Sequence, residues 1–110
     1  MDLYGMLEQN AKTLGVENVL TQCMEECAEL VQACNRFLRA SGVGLKTEME
    51  PGEALYNLME ETVDVSIMMA ELSYLLQFDK QLVDGVMLQK ILRTNKKLFS
   101  EERTESNDQG

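Results

Sequence analysis

Apolar positions between residues 16 and 40 recur at helical spacing. Val16, Val19, Leu20, Cys23, Cys27, Leu30, Val31, Cys34, Phe37 and Leu38 follow an i, i+3, i+4, i+7 rhythm, which marks an amphipathic helix with one stripe turned to a core. The same reading predicts three more helices. Asp2 is placed to cap a first one that runs to about Leu14 and stops at Gly15, glycine being a common residue just past a helix end. Ser41-Gly42-Val43-Gly44 breaks the second helix. After a loop over 45–50, Pro51 takes a first-turn position, and the acids Glu50 and Glu53 complement the positive end of the dipole there. This third helix should reach about Gln77. Asp79 then caps a fourth, from Lys80 to about Arg103. Strand-like alternation is scarce, so the fold class is all-α. One helical domain is expected over 1–103, with a disordered polar tail over 104–110.

The third helix differs from the second. Leu55, Leu58, Met59, Val63, Val65, Ile67, Met68, Met69, Leu72 and Tyr74 cover most of its circumference. A helix apolar nearly all round is buried on several sides. A chain of 110 residues buries only a modest fraction of its surface when alone. Completion of a four-helix bundle by a second copy is therefore expected, with a symmetric homodimer as the default and a homotetramer as the alternative. The eight methionines read as adaptable packing. Cys23, Cys27 and Cys34, all on the apolar stripe, read as buried thiols rather than a disulfide framework.

Charge narrows the function. The net charge is −9 and the pI about 4.4, and no long basic run is present to track a phosphate backbone, which argues against nucleic-acid binding. No stretch of about 18 apolar residues is present to span a bilayer. Met1-Asp2-Leu3-Tyr4 lacks the regions of a signal peptide, so no membrane association and a cytoplasmic location are expected. The chain has no histidine, which excludes histidine-based zinc sites, Ser-His-Asp triads and Glu-x-x-His di-iron sites within it. An acidic protein can still hold a polyphosphate when a divalent cation lies between the two.

Two acidic clusters supply such a cation site. The second helix carries Glu25-Glu26-Cys27-Ala28-Glu29 and the third Glu60-Glu61-Thr62-Val63-Asp64. Residues three apart on a helix point in directions roughly 60° apart and are surface neighbours. Glu26 with Glu29, and Glu61 with Asp64, therefore form two carboxylate pairs. Like charges at this spacing repel, but a hard cation such as Mg²⁺ reverses the balance. At about 100° per residue, Glu25 lies opposite the apolar stripe, Glu26 at its edge and Glu29 farther toward solvent. Glu61 falls in line with Val65, Met68 and Leu72, where a carboxylate is costly to ionise unless paired or metal-bound. Acidic clusters on helices are ordinarily solvated faces; the doubled pair and the apolar surroundings of Glu61 set this one apart.

The order Glu25-Glu26-x-x-Glu29, a loop, then Glu61-x-x-Asp64 resembles the signature of MazG-like nucleotide pyrophosphohydrolases. These belong to the all-α NTP pyrophosphatase superfamily, alongside dimeric dUTPases and phosphoribosyl-ATP pyrophosphohydrolases. The likeness spans about Val16 to Asn95. It implies a MazG-like helical fold completed by oligomerisation, with Glu26, Glu29, Glu61 and Asp64 as ligands of Mg²⁺, Mn²⁺ being a substitute. It also implies catalytic roles for Glu25, Glu26 and Glu61, and contacts from Lys90 and Asn95 to the phosphates or sugar of a nucleoside triphosphate. The implied reaction is cleavage of a (d)NTP to (d)NMP and pyrophosphate, as in nucleotide-pool cleaning. A non-catalytic all-α oligomerisation or regulatory module that retains the fold is the competing expectation.

Overall fold

Asp2 starts the first helix as its sequence predicts. Its Oδ1 accepts a hydrogen bond from the Gly5 amide at 2.7 Å, satisfying one of the amides that a helix start leaves without a partner. In the computed structural model, which describes the backbone of residues 1–108 and the side chains of residues 1–100, three helices follow. α1 is Leu3–Ala40, α2 is Pro51–Leu76 and α3 is Lys80–Asp108.

α1 is bent at the expected place. Gly15 has φ 81° and ψ 165°, a combination open essentially to glycine alone. It divides α1 into arms 3–14 and 16–40, which run in opposite directions along α2. On the second arm, Arg36 Nη1 donates to Asn57 Oδ1 at 3.4 Å near the connector, while Glu26 and Glu29 meet Glu61 farther on. That register is antiparallel. On the first arm, residues from Leu3 to Asn10 line a cavity with Val63, Ile67 and Glu71, and Lys12 Nζ lies 5.8 Å from the centre of the Tyr74 ring. That register is parallel. The result is three helical segments in which arm 16–40 runs antiparallel to both arm 3–14 and α2.

The other stops and starts also follow the sequence. At the end of α1 the Val43 amide donates to the Leu38 carbonyl at 2.8 Å, and Gly42 and Gly44 take φ 93° and 80° within the 41–50 connector. Pro51 opens α2, and Gln77 closes it in the left-handed region at φ 53°, ψ 51°. Asp79 Oδ1 accepts from the Leu82 amide at 3.0 Å at the head of α3. α3 continues to Asp108, past the expected end at Arg103. The stretch 101–108 contains no proline or glycine and has Glu and Arg among its residues, so nothing local stops the helix. Residues 109–110 of the expected tail lie outside the described residues.

The buried apolar side chains are Ala11, Val19, Ala33, Ala54, Val65 and Met68. On the second arm of α1 the buried line passes through Val19 and Ala33 with half-buried Cys23, Glu26, Leu30 and Phe37 beside it. Leu20, Cys27, Val31, Cys34 and Leu38 form another line about 100° round the helix, and they are exposed. The expectation of three buried thiols is thus corrected: Cys23 is half-buried, while Cys27 and Cys34 face outward. The apolar stripe is wider than the strip α2 covers. α2 itself leaves Leu55, Tyr56, Met59 and Met69 exposed.

The chain forms two compact units, Met1–Gln77 and Phe78–Gly110. The first holds the helical segments just described, and the second is built on α3. Among the described residues there is no strand, and no helix is long and apolar enough to cross a membrane.

Candidate metal centre

The antiparallel register of arm 16–40 and α2 brings three carboxylates together. One oxygen each from Glu26, Glu29 and Glu61 lie within 4.8 Å of one another. Glu26 and Glu61 are half-buried and Glu29 is exposed, as their positions on the helical wheels require. Asp64, one turn beyond Glu61 and half-buried, lies outside this tight trio, but its charge acts on both Glu26 and Glu61. Glu25 is exposed, on the side of the helix away from the buried line.

Among the described residues the trio has no compensating positive charge. Burial pushes the Glu26 carboxyl above its ordinary pKa, and the charges of Glu29, Asp64 and Glu61 and a hydrogen bond with Glu29 push it further. Glu61 is raised first by burial, then by the charges of Glu29 and Asp64, a hydrogen bond with Glu29, and the charge of Glu60. Oε2 of Glu26 and Oε2 of Glu61 are buried without a hydrogen-bond partner. No lysine or arginine among the described residues pairs with them. Two half-buried carboxyls, each with an unpartnered oxygen, that converge with a third suit a hard divalent cation. Oxygens around an octahedral Mg²⁺ at about 2.1 Å lie about 3–4 Å apart, a separation that small side-chain rotations can reach from the spacing seen here.

The raised pKa values fix a sign for stability. A carboxyl raised on folding binds more protons in the folded than in the unfolded state through the window between its ordinary value of 4.5 and its raised one. Stability therefore falls as pH rises through that window. Without divalent cations, the melting temperature should rise as the pH is lowered through that window toward 4.5, and millimolar Mg²⁺ should flatten or reverse that trend. A metal-free melting temperature that falls on the same acidification would show that the clustered acids are not strained.

Lys90 and Asn95 are on α3, where they line a shallow surface groove of about 400 Å³ with Ile91, Thr94 and Leu98. Tyr4 and Tyr56 are exposed, and Tyr74 is half-buried beneath Lys12. One polar residue escaped the sequence reading. Glu71 of α2 is 3 % exposed, and its Oε2 has no hydrogen-bond partner. The signal that could have found it was its position two turns beyond Asp64 on a helix apolar nearly all round.

The chain matches no known family model, no curated protein and no solved structure.

Proposed function

We propose that the protein is a Mg²⁺-dependent nucleoside triphosphate pyrophosphohydrolase that cleaves a (d)NTP to (d)NMP and pyrophosphate, with nucleotide-pool cleaning as its role. The observation that supports this reading is the convergence of Glu26, Glu29 and Glu61, two of them with buried oxygens lacking a partner and all without a counter-cation among the described residues. Glu26, Glu29 and Glu61 hold the ion, and Asp64 completes the set. Mg²⁺, or Mn²⁺ in its place, neutralises charge on the triphosphate and polarises its phosphorus–oxygen bonds.

The protein's own groups position and deprotonate water. Glu25, exposed and outside the set that holds the ion, accepts a proton as the water oxygen attacks the α-phosphorus. The bond from that phosphorus to the α–β bridging oxygen breaks, and pyrophosphate leaves with the electron pair. By the resemblance noted above, Lys90 and Asn95 contact phosphate and sugar. The exposed apolar residues Leu20, Val31 and Leu38 of α1 and Leu55, Met59 and Met69 of α2 form the surface of a homodimer or homotetramer, since contiguous exposed apolar area commonly marks an interface.

The test is a pyrophosphate-release screen over normal and damaged (d)NTPs with Mg²⁺ or Mn²⁺, joined to thermal unfolding with and without the ion. Release on at least one substrate is expected. A ligand that binds only the folded state, at a hundred times its Kd, stabilises it by about 2.7 kcal/mol, a rise of about 10 °C or more for a chain of this size. Neither release nor a shift would leave a non-catalytic helical module.

A further inference from the structure

Glu71 has no place in the chemistry just described. It is seven residues past Asp64, about 10 Å farther along the helix axis, so it cannot join the acidic trio around one ion. It is 3 % exposed with Oε2 unpartnered, and burial raises its pKa. A buried carboxyl that meets no donor is costly in either protonation state. A bound molecule carrying an N–H donor would remove that cost.

The surroundings narrow the molecule. Glu71 and Asn10 are the polar residues of a cavity of about 430 Å³ between arm 3–14 and α2, whose other walls include Leu3, Leu7, Val63 and Ile67. That volume and its almost wholly apolar walls, with the buried Glu71 carboxyl behind them, suit a small ring compound. Seven residues at about 100° each put Glu71 on nearly the same line of α2 as Asp64, so the acid that lines this cavity lies about 10 Å along the helix from the acidic pairs. A nucleotide spans a similar distance from its α-phosphate to the hydrogen-bonding edge of its base.

We infer that this cavity receives the base of the nucleotide, and that Glu71 accepts a hydrogen from an exocyclic amine, selecting amino-bearing bases over their amine-free counterparts. The inference rests on the pyrophosphohydrolase reading for the phosphate half alone. The donor pattern holds in both protonation states. An ionised Glu71 accepts from the ring N–H and amine of guanine. A protonated one donates to the ring nitrogen of cytosine or adenine while accepting from its amine. Hypoxanthine and uracil lack that amine, and uracil offers a carbonyl oxygen in its place.

The experiment is calorimetric titration of the full chain, without divalent cations, against the pairs dGMP and dIMP, and dCMP and dUMP. The amino member of at least one pair should bind about tenfold or more tightly, the discrimination a bidentate contact to a base edge supports. In Glu71→Gln the preference should fall to within about twofold with affinity retained, because an amide can turn to pair with either member. In Glu71→Met, which keeps chain length and adds no polar group, affinity for the preferred base should fall about tenfold or more. Equal binding within both pairs in the wild type, no binding of any monophosphate, or a preference unchanged in both variants would overturn the inference. So would a Glu71→Met melting temperature that rises while base preference persists, since Glu71 would then be a structural burden only. Turnover without base preference removes this inference and leaves the proposed reaction standing. Base-selective binding with no pyrophosphate release does the reverse.

Discussion

A Glu61→Gln variant is expected to keep its fold and lose pyrophosphate release by about two to three orders of magnitude. The substitution preserves shape and helix propensity while removing one charge from the trio. Metal polarisation contributes several kcal/mol to such reactions, and each 1.36 kcal/mol is about tenfold in rate, which sets the size of the loss. The same change should raise the melting temperature of the metal-free protein, because Glu61 is a half-buried carboxyl crowded by Glu29 and Asp64. It should also shrink the stabilisation by Mg²⁺. Opposite movements of metal-free stability and activity distinguish a metal ligand from a packing residue, whose loss lowers both. Glu60→Gln, one residue away and exposed, is the control and should change neither by much. Equal turnover in wild type and Glu61→Gln would remove Glu61 from the site.

Gly15→Ala should be the most destabilising single-methyl change in α1. A Cβ built at Gly15 meets no atom within 4 Å, so the cost is not a clash. It lies in the backbone: φ 81° and ψ 165° fall where residues with a side chain pay about 1–3 kcal/mol. For a chain of this size that lowers the melting temperature by about 4 °C at the least, readable by circular dichroism. The damage should concentrate in arm 3–14, whose return along α2 depends on the reversal. Hydrogen exchange should therefore accelerate at Ala11 before it does at Ala33 or Val65, all three of which are buried in the wild type. An unchanged melting temperature would mean the bend is not needed in solution.

These two residues were legible for different reasons. Gly15 announced a helix end because the apolar rhythm resumes immediately after it, and Asp2, Pro51 and Asp79 marked their helix starts by the polar or ring chemistry that such positions favour. Glu61 stood out because its helical line is otherwise apolar. What the pattern could not divide was the width of a stripe. Cys23 and Cys27 are neighbours on the wheel, yet one is half-buried and the other exposed, since burial depends on which partner helix arrives and at what angle. Glu71 was missed for a related reason. It lines cavities together with residues of arm 3–14, and that neighbourhood exists only once Gly15 has turned the chain back.

The 41–50 connector lies far from the carboxylates. Glu29 lies eleven positions before Ala40 and Glu61 ten positions after Pro51, about 15 Å of helix on each side, and the Arg36–Asn57 contact and buried Ala33 and Ala54 lie in between. Changes in the length or composition of that turn are absorbed before they reach the acids. The hairpin tip is thus a natural insertion point for a reporter or affinity peptide, one that leaves the carboxylate trio untouched.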